Sequence, residues 1–340
     1  MSTKTCLGRI SFACLMIVTA HQAYAQSSVQ LYGVVGAYID SAKRSGGPNA
    51  VLQEGSGGLT TSYFGLRGRE DLGDGYAAIF GLESFFQPAT GAQGRNATDP
   101  FFSRNAWLGV DSKYGRLMFG RQTNPTYSNM AALNPFGSSV VFSPLVLQTF
   151  VANYGSTIIG DTVWNNAIQY ASPSVYGFTT QAVYGVGGVA GQNGIANIGL
   201  HAQYSNGGLS AALSAQRVRT PVTAPLSEQY AYLGGVSYDL GFVKLFAAGV
   251  ATNSHGTNVN AHTYELGATV PLSPFAAILI EGARTRSNAP RGVSTIRNTA
   301  SVAYDYFLSK GTDIYAVYSY DKINGRGSAS TEGFGMRHSF

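Results

Sequence analysis

Ile198-Gly199-Leu200-His201-Ala202-Gln203-Tyr204 alternates without a break. Successive side chains of an extended chain point to opposite faces, so Ile198, Leu200, Ala202 and Tyr204 share one face and Gly199, His201 and Gln203 the other. Asn206-Gly207-Gly208 then supplies the residues that reverse a chain tightly. The return segment sets Leu209, Ala211, Leu213 and Ala215 against Ser210, Ser214 and Gln216. Much later, Ala300, Val302, Tyr304 and Tyr306 oppose Thr299, Ser301 and Asp305 in the same way. Each segment therefore divides an apolar phase from an aqueous one, strand by strand.

The pattern runs from end to end. Period-2 segments fall near 28–40, 60–69, 75–86, 103–111, 115–121, 165–172, 177–186, 195–205, 208–218, 228–239, 241–252, 260–271, 274–286, 295–307, 311–321 and 332–340. The count is sixteen; weak alternation at 241–252 and 274–286 leaves fourteen or eighteen open. Tight turns at Asp71 to Gly75, Lys113 to Gly115, Pro173 to Gly177, Asn206 to Gly208, Asp239 to Gly241, Ser273-Pro274 and Ser309 to Gly311 alternate with longer polar connections such as Lys43 to Gly58 and Gln87 to Phe102. Short turns on one rim and long loops on the other fit a transmembrane barrel.

Composition agrees. Only 11% of the 340 residues are charged and mean hydropathy is +0.01, while Gly reaches 43, Tyr 21 and Phe 18. So few charges would solvate a soluble domain poorly, but a wall wetted by lipid on one side needs no more. Apart from the N-terminal segment, no apolar run approaches the roughly 18 residues of a spanning helix. A chain like this can cross a membrane only as a closed barrel, because closure alone satisfies every backbone group without helices.

Residues 1–25 read as a secretory signal, leaving 26–340 as the barrel. Lys4 and Arg9 give the positive start, Ile10 to Ala20 the apolar core, and Ala23-Tyr24-Ala25 the small-x-small cleavage site. Cys6 and Cys14 would leave with it, so no disulfide staples the remainder. Loss of Lys4 and Arg9 leaves 20 basic against 17 acidic residues, a net +3 too weak to suggest nucleic acid.

One connection differs from the rest. From Gln122 to Gly160 there is no charged residue, yet Met130, Leu133, Phe136, Phe142, Leu145, Leu147 and Phe150 crowd into it. An apolar loop of this length is a liability in water. It is expected to fold into the barrel and pack on the wall, the competing reading being a missed pair of strands.

Three runs carry a resemblance: Tyr63-Phe64-Gly65-Leu66-Arg67-Gly68-Arg69-Glu70-Asp71-Leu72-Gly73, Phe102-Ser103-Arg104-Asn105-Ala106-Trp107-Leu108-Gly109-Val110 and Tyr114-Gly115-Arg116-Leu117-Met118-Phe119-Gly120-Arg121-Gln122. With the ending Gly335-Met336-Arg337-His338-Ser339-Phe340, they resemble the general-diffusion porins of Gram-negative bacteria, in particular the β-proteobacterial branch. The resemblance implies an all-β, sixteen-stranded antiparallel transmembrane β-barrel of the outer membrane. Its long third loop folds into the lumen. It further implies a homotrimer in outer-membrane lipid, delivered by the barrel assembly machinery, that passes small hydrophilic solutes and ions with weak anion preference. No cofactor, metal or enzymatic activity is implied. Phe340, sharing a face with Phe334, Met336 and His338, is the implied assembly signal.

The resemblance also places a wall arginine cluster opposite acidic loop residues, whose transverse field orients water and dipolar solutes. Carried over, Arg104 turns inward with Ala106 while Trp107 faces out; Arg67 and Arg69 face inward, as does Glu83 on the next strand. Departures are plain: Tyr63 stands where a wall arginine is usual, and Ala77 and Gly81 replace longer polar residues. Asn134-Pro135-Phe136-Gly137 lacks the loop acid, leaving Asp161 as the acid nearby. The implied constriction set is thus Arg67, Arg69, Arg104, Glu83, Tyr63, Asn134, Phe136 and Asp161.

Other motifs carry no chemistry. Gly185-Val186-Gly187-Gly188-Val189-Ala190 fits a loose dinucleotide fingerprint but no helix pattern follows. His201, His255, His262 and His338 lack zinc spacing, and no Gly-x-Ser-x-Gly elbow occurs. Tyr76, Tyr204, Phe242 and Tyr320, at strand ends, read as an interfacial girdle. The competing readings are a substrate-selective channel, a barrel enzyme and a secreted β-sandwich or lectin.

Overall fold

The computed structural model describes residues 28–187, 197–220, 227–255, 260–288 and 294–340. The signal segment and the tip of the 185–190 motif lie outside the described residues. In chain order the strands are β1 (Ser28–Ala42), β2 (Val51–Ser56), β3 (Tyr63–Gly73), β4 (Tyr76–Gln87), β5 (Ala92–Gln93), β6 (Asn105–Ser112), β7 (Gly115–Thr123), β8 (Val163–Ala171) and β9 (Phe178–Gly185). There follow β10 (Asn197–Asn206), β11 (Leu209–Thr220), β12 (Ser227–Asp239), β13 (Lys244–His255), β14 (Asn260–Ser273), β15 (Ala276–Asn288), β16 (Ser294–Ser309), β17 (Thr312–Ile323) and β18 (Ala329–Ser339). Helices α1 (Pro125–Ala132) and α2 (Pro144–Phe150) lie between β7 and β8.

All neighbours are antiparallel, and β18 returns to β1, with Val34 opposite Ser339 and Ala42 opposite Thr331. The last residue completes the seam: Phe340 and Gly33 exchange both backbone hydrogen bonds, at 3.0 and 3.1 Å. The wall has no free edge, and sixteen strands form it. Wall strands of 8 to 16 residues bracket the roughly 9–11 that a tilted strand needs to cross hydrocarbon.

Two strands are additions to the expected sixteen, and both correct connections read as loop. β5 is a two-residue return against the end of β4. β2 pairs with the upper half of β1 while β3 pairs with its lower half, so together they occupy one wall position. Val51-Leu52-Gln53-Glu54 is exposed on both faces and has no period-2 signature to read. The break between β2 and β3 requires glycine: Gly57 and Gly58 sit at φ +92° and +94°, and a side chain on Gly58 would strike the Tyr315 hydroxyl.

The faces are those of a soluble protein turned inside out. Leu200, Leu213, Leu266, Ile280, Val302, Tyr304, Phe334 and Met336 are exposed, whereas His201, Ser214, Gln216, Thr299, Ser301 and Asp305 are buried. Burial alternates along β13 and β15 as well. Their sequence signal is weak because Ala and Gly serve both faces.

The connection between β7 and β8 contains helices rather than strands. Asn124 caps α1 and Ser143 caps α2, each with proline at the first helical position. Met130, Leu133, Leu145, Val146 and Ile158 pack with Ala212, Ala231, Leu233, Ala248 and Val250 of β11 to β13. Phe136 and Phe142 pack with Leu279, Ala303, Tyr315 and Val317 of β15 to β17. All these wall partners lie on the face opposite the exposed apolar belt. Polar groups fix the register: Asn129 donates to Ser214 at 2.8 Å, Gln148 to Thr299 at 2.8 Å, and Leu145 N–H to Glu281 at 2.7 Å. Ser139 donates to the Gly58 carbonyl at 2.7 Å, so the break between β2 and β3 receives the loop.

Candidate functional site

The inward face of β1, β3, β4, β6 and β7 gathers the arginines. Arg67 and Arg69 stand two residues apart on β3 and therefore project the same way. Arg67 donates to Gln30 at 2.7 and 3.0 Å and lies 4.8 Å above the Tyr32 ring. Arg69 pairs with Asp111 at 2.5 Å, and Arg116 approaches the same carboxylate at 3.5 Å. Glu83, buried on β4, accepts from Arg104, Asn105 and Tyr32. Arg104 rests 4.1 Å over the Tyr63 ring, and Tyr63 meets Tyr32 edge-on at 6.2 Å. Tyr63 thus supplies a π-face for a neighbouring arginine where the resemblance leads one to expect an arginine.

Strand parity on β6 is the reverse of the expected one. Leu108 and Val110 are exposed with Ala106 on their side, while Asp111 pairs with the inward Arg69, so Trp107 faces in. Arg104 precedes the strand, which begins at Asn105, and reaches Glu83 from the connection. The indole of Trp107 fills the space above Gly81, where a Cβ would stand 2.8 Å from it. The small residue at Gly81 is thereby explained: it admits a tryptophan.

Two expected lining residues do not line anything. Asn134 is buried inside the loop, where its amide donates to the Met130 and Gly137 carbonyls at 2.9 Å and its carbonyl accepts from Ser143. Phe136 is buried against the wall. Both serve the packing of an apolar loop, which leaves no reason to present them to water. Asp161 forms no ion pair with Arg67, Arg69 or Arg104, although Thr162 beside it lines one cavity with Tyr63 and Arg104. It binds Arg95 at 2.7 Å and lies 3.6 Å from Arg121, and Arg95 also holds Asp99 at 2.8 Å. Burial pushes the Asp161 carboxyl up, but the hydrogen bond and charge of Arg95, with Arg121 beside it, outweigh that and hold it below the usual carboxylate range. Asp99 is depressed in the same way: burial opposes, and the Arg95 hydrogen bonds prevail.

Sequence reasoning missed Gln30, Tyr32, Arg95, Asp111, Arg116 and Arg121. Arg116 was accessible by parity, since Leu117 and Phe119 point out, and Asp111 follows from the same logic on β6. The contacts of Tyr32 and Arg95 span 51 and 66 residues and leave no local trace.

The inward face is lined with arginines, walled by sixteen strands and lacks, among the described residues, any group of three or more metal-ligating side chains. Residues 11–326 match the family model described as Gram-negative porin. The chain belongs to that family. An outer membrane porin of Bordetella pertussis is 27% identical, covering 96% of this porin and 98% of its own length. Outer membrane porin protein 32 of Delftia acidovorans is 27% identical, over 89% and 86%. Among solved structures, an anion-selective porin from Comamonas acidovorans superimposes with TM-score 0.75 at 23% identity, over 93% of this porin and all of that chain. The trimer form of OmpT from Vibrio cholerae gives 0.71 at 14% identity, over 92% and 99%. This porin is accordingly an outer-membrane β-barrel of the diffusion-channel family.

Proposed function

We propose that this porin is a homotrimeric, anion-leaning pore for small hydrophilic solutes, narrowed by the loop that carries α1 and α2. The observation that carries the sign is an imbalance of exposure rather than of number. The side chains of Arg69 and Arg116 are 53% and 47% exposed and share one acid, Asp111, while Arg67 has a neutral partner in Gln30. Within the barrel wall Glu265 and Glu281 are buried, Asp305 and Asp313 sit beneath Arg337, and Asp321 is held by Arg297 at 2.6 Å. At the cluster on β3, β6 and β7 a permeating ion therefore meets arginine before it meets carboxylate. The loop, with no charge from Gln122 to Gly160, adds no opposing acid. The Comamonas relative described as anion-selective and the OmpT trimer support the sign and the assembly.

Export after cleavage of residues 1–25 and reading of Phe340 by the assembly machinery complete the proposal. Phe340 sits at the closing seam with its ring over Gly33, where recognition and closure use one residue. The test is a reversal potential across a potassium chloride gradient, on protein purified from outer membranes and reconstituted in a planar bilayer. The expected results are chloride preference, conductance lost in three equal steps, and an N-terminus beginning at Gln26. Cation preference would overturn the sign, single-step closure the trimer.

A further inference from the structure

The inward wall is hollowed near the rim of short turns. Tyr32, Arg67, Arg69, Ile79, Trp107 and Arg116 line a cavity of about 350 Å³ there, within the size range of small-molecule sites. Strand register sets its plan. Arg67 lies opposite Gly81 on β4 and Gly81 opposite Trp107 on β6, so guanidinium and indole belong to one level of the wall, two strands and about 10 Å apart. One level lower, Ile79 is opposite Arg69 and is buried. A Cβ built on Gly81 would stand 2.8 Å from both Cε2 and Cζ2 of Trp107 and 3.1 Å from Nε1. Near-equal distances to three bonded ring atoms mean that the indole lies flat on the glycine. Its other face is turned to the cavity.

Three arginines meet one carboxylate in this hollow. Asp111 takes Arg69 at 2.5 Å and Arg116 at 3.5 Å, and Arg67 is held by the neutral Gln30. Asp71, lower on β3, is taken up by its own turn, accepting from the Gly73 N–H at 2.9 Å. A bare halide would use the positive charge and leave the indole face idle, whereas an anion that carries a planar ring uses both. We propose that the hollow binds small aromatic carboxylates, with the carboxylate between Arg67 and Arg69 and the ring stacked on Trp107 above Ile79. Arg67 and Arg69 stand two residues apart on one face, and the planar fork of each suits the two oxygens of a carboxylate. Offset stacking on an indole adds affinity that an aliphatic acid of the same charge does not gain. The inference deepens the anion-leaning reading and rests on it for transport, but binding is measurable without transport.

Trp107 and Trp164 are the two tryptophans of the chain, and Trp164 is buried, so a quencher in the pore reports on Trp107. The purified protein in detergent is titrated with 4-nitrobenzoate, with neutral 4-nitrobenzyl alcohol, and with 4-nitrobenzoate in the presence of excess benzoate or acetate. The expected results are saturable quenching by the acid, binding of the alcohol weaker by about tenfold, on the scale of one charge-assisted hydrogen bond, and displacement by benzoate but not by acetate at equal concentration. Arg67→Gln/Arg69→Gln is expected to weaken 4-nitrobenzoate binding by a similar factor, and Arg67→Lys/Arg69→Lys to recover part of the loss. Equal quenching by acid and alcohol overturns the carboxylate site, and displacement by acetate as effective as by benzoate overturns the aromatic class. In a planar bilayer, benzoate is expected to reduce chloride current at concentrations where acetate does not. Cation preference with the quenching pattern intact would strike the sign of the pore and leave the site; chloride preference without that pattern would strike the site and leave the pore.

Discussion

Arg67 and Arg104 face the same interior and differ in what they leave behind when removed. Arg67 shares Gln30, a neutral amide that water can satisfy, so Arg67→Gln subtracts one accessible positive charge and little else. Its expected outcome is a reversal potential shifted toward zero with the thermal unfolding of the barrel unchanged. Arg104 covers Glu83, and Arg104→Gln strands a buried carboxylate that only Tyr32 and Asn105 still contact. The cost of an under-satisfied buried group is about 1–3 kcal/mol, discounted here because the guanidinium is partly wet. Arg104→Gln should therefore lower the temperature at which the barrel unfolds on an unheated-versus-heated gel, and Arg67→Gln should not. Equal stability of the two variants would remove Glu83 from its place as the buried partner.

At the scale of elements, the loop bearing α1 and α2 is held at its foot by Arg95, Asp99, Asp161 and Arg121. Folded pKa values of Asp99 and Asp161 lie below their unfolded ones, so their contribution is complete above the ordinary carboxylate range and is lost as pH falls through the depressed values. Protection factors for hydrogen exchange at residues 95–99 and 160–163, with the intrinsic pH dependence of exchange divided out, are expected to be flat from neutrality down to about pH 4 and to fall only below it. Arg95→Ala should move that fall to higher pH. The location of the foot was not legible, because its members come from two separate connections. The loop itself was legible, because 39 residues without charge cannot stay in water; its helices were hidden by prolines that read as turns but occupy first helical positions. Strands were readable wherever their two faces meet different solvents, as on β10, β11 and β16. They failed where both faces are exposed, as on β2, or where a strand starts two residues later than its motif suggests and parity is counted from a residue before it, as from Arg104 on β6.

For the whole molecule, the decisive property is that lipid wets one surface of the cylinder and water the other. The chain has no cysteine beyond Cys14, which makes single introduced thiols clean reporters of that division. Leu200→Cys and Val302→Cys occupy exposed outward positions, while Gln30→Cys and Arg67→Cys occupy exposed inward ones. In liposomes, a membrane-impermeant maleimide is expected to label the inward pair and spare the outward pair. A hydrophobic maleimide dissolved in the bilayer should label the outward pair instead. The same four variants in detergent, after heating, should all react with the aqueous reagent, because unfolding abolishes the distinction. Aqueous labelling of Leu200→Cys and Val302→Cys in intact liposomes would mean that the apolar belt does not face lipid, and the arginine-lined interior would not survive that result.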